Sequence, residues 1–202
     1  MIVGARYWDD RERYYSQVNN PTEEQLRKHG TGSWLETCGA TAAVTCLAAL
    51  GYNLEVICPG AYRPQPEEVL ADYLNDPRVY GELLKVRPDW DPKAAPGNRV
   101  ANYYPYAVMA VFRAQAEYIP AINREGVIGH LLRCHAVQVC LKPPGHYVAA
   151  VAYDKATEEI IYHDPWPGRK PSWGGDGFGR RMTKTEEAAI QRYVVAYLPP
   201  IG

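Results

Sequence analysis

The chain has 202 residues, 47% hydrophobic and 22% charged, with 22 Lys and Arg against 23 Asp and Glu for a net charge of -1. That length supports one well-buried core, so a single domain over residues 1–202 is expected, and the near-neutral balance gives no electrostatic reason for nucleic acid or an anionic membrane as partner. Five cysteines at irregular spacing do not read as a disulfide framework, and a reduced intracellular protein is the simplest expectation.

The N-terminus, Met1 to Asp10, lacks a basic segment followed by a long apolar core, and no stretch approaches the length of a membrane span. A cytoplasmic location is expected, with export by another route left open. Arg6 to Asn20 is aromatic and charged with weak periodicity, and Pro21 closes it. Thr22 to His29 reads as a short polar helix ending at Gly30. Thr37 is a candidate N-cap, and the stretch from Cys38 to Leu50 is almost wholly apolar and Ala-rich before Gly51. A helix apolar on all faces is normally the buried central helix of a domain. Residues 66–75 read as an amphipathic helix, with Pro66 and acids in the first turn. Residues 85–99, with three prolines and Gly97, read as loop, and 102–117 and 121–133 as two further helices.

The period then changes. His135 to Leu141 alternates, and Pro143-Pro144-Gly145 breaks it. Tyr147 to Tyr153 is an apolar β-like run, Asp154 to Thr157 turns, and Glu159 to His163 returns. A loop rich in Gly, Pro and Trp runs to about residue 180, Thr183 and Glu186 form a capping-box pair before a short helix, and Tyr193 to Leu198 supplies a last strand. Helices first and antiparallel strands second make an α+β arrangement.

The residues that carry chemistry follow this order. Cys38 opens the apolar helix, where the positive helix end favours a thiolate. His146 lies at the start of one strand and Asp164 just past the end of the next, so an imidazole to take the thiol proton and a carboxylate to hold it are both available. A three-residue turn, Asp154 to Ala156, would pair Tyr153 with Thr157 and set His146 directly opposite Asp164, about 5 Å apart at Cβ. In that register Val148, Ala150 and Ala152 share an apolar face with Tyr162 and Ile160, and the Cys38 helix would pack on it. A four-residue turn would separate the pair unless a bulge restored the parity. Gln17 precedes Cys38, and its amide could join the Cys38 backbone N–H in an oxyanion hole.

The series Gln17, Thr37-Cys38-Gly39-Ala40-Thr41-Ala42, Gly145-His146-Tyr147-Val148 and Ile161-Tyr162-His163-Asp164-Pro165-Trp166 resembles the papain-fold cysteine peptidases. Within them it looks most like the bacteriocin-leader (double-glycine) peptidases and their stand-alone bacterial and phage relatives. The resemblance spans Tyr14 to Leu198. It implies a papain-like fold, with an N-terminal helical half whose buried central helix packs on a C-terminal antiparallel sheet. It also implies Cys38 as nucleophile, His146 as general base and acid, Asp164 as orienting carboxylate and Gln17 as oxyanion donor. Two departures stand out: Ala40 occupies a position where the family often has Pro, and residues 21–34 look like an insertion between Gln17 and Cys38. Asn19, Asn20 and Gln25 therefore remain rivals to Gln17.

Other residues fit bland roles better. Alternation turns His163 to the face opposite Asp164. His130, Cys134 and His135 lack a second ligand pair at zinc-like spacing, so neither metal nor cofactor is expected. The glycines from Gly174 to Gly179 lack the strand and Lys-Ser/Thr of a phosphate loop and read as a loop beside the site, where Trp166 and Trp173 could line a groove. With 16 Tyr and 5 Trp but 2 Phe, an extended cleft for a peptide or peptide-like substrate is plausible. The expected activity is thiol-dependent hydrolysis of an amide bond. The alternatives are a peptidoglycan endopeptidase or amidase, an acyltransferase on the same residues, and a catalytically silent papain-fold binding protein.

Overall fold

A computed structural model describes residues 1–17, 37–55, 65–89, 91, 97–142, 145–166 and 177–201. The expected helix at 22–29 lies outside them. Six α-helices are described: α1 (Cys38–Leu50), α2 (Pro66–Asn75), α3 (Tyr80–Val86), α4 (Tyr104–Phe112), α5 (Arg124–Leu132) and α6 (Lys184–Ala188). The strands are β1 (Ile2–Gly4), β2 (Ala116–Ile119), β3 (Ala136–Leu141), β4 (His146–Asp154), β5 (Glu159–His163), β6 (Arg180–Arg181) and β7 (Ile190–Tyr197). They form one antiparallel sheet in the order β2-β7-β3-β4-β5-β6, with β1 pairing the far end of β4. This is the expected α+β arrangement. Among the described residues no helix is long and apolar enough to cross a membrane.

Helix α1 is the central helix. Every residue from Gly39 to Leu50 is buried, and Gly51 ends the helix in the left-handed region at φ 96°. Its alanines allow close approach to the sheet, while Val44, Leu47 and Leu50 supply the apolar bulk. Thr37 occupies the cap position, but its side chain makes no capping bond; its carbonyl accepts the Thr41 N–H and hydroxyl at 2.9 and 3.0 Å. Helix α2 begins as expected at Pro66, and Glu68 closes its first turn by accepting the Gln65 N–H at 2.9 Å.

The helix expected over 102–117 is shorter. It stops at Phe112, where Arg113 adopts φ 57° and returns its N–H to Met109, and Ala116–Ile119 becomes an edge strand on β7. Pairing with β7 overrides the local helical pattern in that segment.

The two faces of the sheet are both covered. Tyr147, Ala149 and Val151 of β4 pack with α1, whereas Val148 and Ala150 pack with Ile160, Tyr162 and the α5 residues Val127 and Leu131. The sequence pattern had the Cys38 helix on the Val148 face; α1 instead occupies the opposite side. A bulge between Ala150 and Ala152 explains part of the difference, because it moves Ala152 into the α1 cluster.

Candidate active site

Cys38 is the first residue of α1 and is half-buried. The backbone N–H groups of a first helical turn have no intrahelical acceptor, so the thiol sits at the positive end of the helix. Gln138 of β3 fixes this turn from beneath. Its amide donates to the Gly39 carbonyl at 3.0 Å and accepts the Tyr197 hydroxyl at 2.6 Å. In a half-exposed sheet Gln138 would face water; with both faces covered it is buried, and that is why alternation did not mark it.

His146 opens β4 beside Leu141 of β3, and Asp164 follows the last residue of β5. The hairpin register differs from the three-residue turn. Asp154 pairs with Glu159, which leaves a four-residue turn, Lys155 to Glu158, with Glu158 at φ 56°. The bulge at Ala150/Ala152 then shifts the register by one, so that Ala149 faces His163. Continued by one residue, that register sets Asp164 beside Val148, and His146 lies diagonal to it rather than directly opposite. The parity is restored all the same: His146 Nε2 meets Asp164 Oδ1 at 2.6 Å, with both residues buried.

An ionised carboxylate only accepts, so Nε2 carries the proton and Nδ1 is left for Cys38. Burial alone would push the His146 pKa down. The hydrogen bonds to Asp164 and Cys38, with the charges of both, outweigh it and raise the pKa to about 9.

Asp164 is held at every polar atom. Oδ1 also accepts the Trp166 N–H at 2.9 Å, and Oδ2 accepts Arg180 Nη1 at 3.2 Å. Its N–H donates to the Gly177 carbonyl at 2.7 Å, and its own carbonyl accepts the Tyr14 hydroxyl at 2.7 Å. The N-terminal segment docks on the same turn. Pro165 O accepts the Gln17 N–H at 2.8 Å and the Ser16 hydroxyl at 3.3 Å, and Gln17 is buried there. Arg180, Tyr14 and Gln138 are the polar residues of this site that sequence reasoning missed. Arg180 follows a glycine-rich stretch beside a second arginine, Arg181, and no local pattern tells the two apart.

The other candidates lie elsewhere. His163 turns away from the Asp164 carboxylate; its Nδ1 accepts the Gly179 N–H at 2.9 Å and its ring stacks on Phe178 at 4.5 Å. His130 and His135 face each other at 3.1 Å between Nδ1 atoms, and Cys134 is exposed. Among the described residues no group of three or more His, Cys, Asp or Glu is placed to hold a metal ion. Asn19, Asn20, Gln25, residues 21–34 and Trp173 lie outside the described residues.

The fold, a buried helix opening on a cysteine and packed against an antiparallel sheet that carries a His–Asp pair at its end, is that of the papain-like cysteine peptidases, and the chain is a cysteine peptidase-like hydrolase. It belongs to the Peptidase_C39 like family, whose model matches residues 12–173. In structure it is similar to a Bacillus anthracis protein named as a C39-like peptidase, with a TM-score of 0.50 at 12% identity over 81% of this chain and 88% of that one. Among curated proteins no sequence matches.

Proposed function

We propose that the protein hydrolyses amide bonds in a peptide or peptide-like substrate through a Cys38 thioester. The observation that carries this reading is the 2.6 Å contact between His146 Nε2 and Asp164 Oδ1, on an imidazole whose other nitrogen is left for a thiol at a helix N-terminus. His146 takes the Cys38 proton, and the imidazolium is stabilised by Asp164. The thiolate attacks the carbonyl carbon and forms a C–S bond. The resulting oxyanion is met by the Cys38 backbone N–H and the Gln17 side-chain amide. Collapse breaks the C–N bond as His146 protonates the leaving amine. Water, deprotonated by His146, then attacks the thioester, releases the acid and returns the thiolate.

Peptide digestion and thiol labelling test this together. The exposed Cys134 provides an internal reference thiol. Limiting iodoacetamide at pH 6, mapped by mass spectrometry, should label half-buried Cys38 well ahead of Cys134, and Cys38→Ala should abolish cleavage of a peptide mixture with an unchanged circular dichroism spectrum. Faster labelling of Cys134, or cleavage that survives in Cys38→Ala, overturns the reading. Added hydroxylamine separates hydrolysis, which yields the acid, from acyl transfer, which yields the hydroxamate.

A further inference from the structure

Asp164 is fully buried, and a buried carboxylate needs a compensating charge as well as hydrogen bonds. His146 cannot supply that charge throughout a thiol-dependent cycle. With a Cys38 thiolate and a His146 imidazolium, the Asp164 carboxylate leaves the group at minus one. In the acyl-enzyme the thiolate charge is gone and the imidazole has given up its proton, so the sum is again minus one. A permanent cation on Asp164 brings both states to zero.

Arg180 is placed to be that cation. Strand β6 is two residues long and pairs with β5, with Arg180 opposite Tyr162 and Arg181 opposite Ile161. Alternation sends the two guanidinium groups apart. Arg181 holds the outer side, on Asp154 Oδ2 at 3.1 Å, Thr157 Oγ1 at 2.9 Å and Glu159 Oε2 at 2.8 Å. Arg180 turns inward, and its Nη1 reaches Asp164 Oδ2 at 3.2 Å with the side chain 10% exposed. The two Asp164 oxygens are thus divided: Oδ1 for His146 and the Trp166 N–H, Oδ2 for the guanidinium.

We propose that Arg180 is a positioning residue of the site, which aims the Asp164 carboxylate at His146 Nε2 and cancels its charge through the cycle, so that the Cys38–His146 pair keeps its reactive ionisation at neutral pH. The inference rests on the reading of Cys38 as nucleophile. Its electrostatic sign is unambiguous: removal of a positive charge raises the proton affinity of every neighbouring group. The low-pH limb of thiolate formation therefore moves toward alkaline pH in its absence. The other charged or ionisable groups around the pair are Arg11 and Tyr14 from the N-terminal segment, Tyr162 and His163 from β5, Glu186 from α6, Cys38 from α1 and His146 from β4. Burial pushes Tyr14 up to about 12 and His163 down to about 4, and it raises Tyr162 as well, so these three do not titrate across the neutral range.

The test is the rate of Cys38 alkylation by iodoacetamide against pH, read by mass spectrometry, which needs no knowledge of the substrate. In Arg180→Met the low-pH limb should move up by about one pH unit, a roughly tenfold slower reaction at a fixed pH on that limb. Arg180→Lys, which keeps the charge, should restore most of the shift. In an Asp164→Asn background the direct effect of the lost charge on Cys38 remains, but the part that acts by aiming the carboxylate is gone, so Arg180→Met should move the limb by less than it does with Asp164 present. Should the Met variant fail to fold, Arg180→Gln gives the same neutralisation with a polar stem. Superimposable limbs in folded wild type and neutral variants, with only a lower melting temperature, overturn the role of Arg180. A wild-type Cys38 that titrates near the ordinary thiol value of about 8.5 overturns instead the cysteine-peptidase reading beneath it.

Discussion

The backbone N–H of Gln17 donates to the carbonyl of Pro165 at 2.8 Å, so the chain upstream of the cysteine helix is tied to the residue that follows Asp164. The Tyr14 hydroxyl on Asp164 O and the Ser16 hydroxyl on Pro165 O extend the tie over one segment. In the proposed mechanism this tie would let one turn place both the Gln17 amide and the Asp164 carboxylate. Gln17→Ala should lower kcat by ~10²–10³ with a much smaller change in KM, because a donor aimed at the oxyanion acts mainly in the transition state. Steady-state kinetics on any peptide that wild type cleaves will decide; a kcat within about threefold of wild type would return the role to Asn19, Asn20 or Gln25.

In the proposed mechanism the pH dependence of activity follows from His146. Its folded pKa, lowered by burial but raised further by Asp164 and Cys38, stands at about 9 against an ordinary 6.5. The imidazolium therefore persists below that value and is lost as pH rises through it, which sets the alkaline limb of kcat/KM near pH 9. Asp164→Asn removes the charge that favours imidazolium, so the limb should move to lower pH by ~1 unit or more. An unmoved limb in that variant would mean that Asp164 does not govern the imidazole.

Local chemistry made part of this site legible. A helix apolar on every face announced a central element, and its first residue was a cysteine. Two strand ends carrying His146 and Asp164 needed only matching parity to meet. What sequence could not fix was how parity is achieved, because a four-residue turn plus a bulge and a three-residue turn without one leave the same pair on one face. The covered second face of the sheet was equally hidden, since α5 packs there only through tertiary contacts. Gln138 and Arg180 were missed for a related reason: each acts on a residue far away in sequence, Gly39 and Asp164, without a periodic signal of its own.

His163 predicts a loss of stability in acid. Burial holds its pKa at about 4, opposed in part by hydrogen bonds to the Trp8 and Tyr162 backbone. The folded state thus prefers the neutral ring, whose Nδ1 accepts the Gly179 N–H. The unfolded chain binds the proton near 6.5, so this contribution is fully present above that pH and is lost as pH falls toward 4, amounting to about 3 kcal/mol at the end. Urea unfolding at a series of pH values should show a steeper fall between 6.5 and 4 in wild type than in His163→Gln. Parallel curves would assign acid sensitivity to other groups.

Gly177, three residues before β6, touches the site. A Cβ built there would collide with the Asp164 carbonyl oxygen and the Tyr14 hydroxyl, while the Gly177 carbonyl accepts the Asp164 N–H at 2.7 Å. Backbone is the main obstacle, so relief requires the Asp164 turn to shift, and with it the carboxylate that meets His146. Gly177→Ala should destabilise the fold by ~1–3 kcal/mol and also slow Cys38 alkylation at neutral pH. Gly129 in α5 has no atom within 4 Å of the equivalent methyl, so Gly129→Ala serves as control and should be neutral or stabilising by up to ~1 kcal/mol through helix propensity. Melting temperatures separate the two variants on stability. Cys38 labelling separates a displaced Asp164 from a merely weaker fold, because a wild-type rate in folded Gly177→Ala would show that this contact does not set the geometry of the pair.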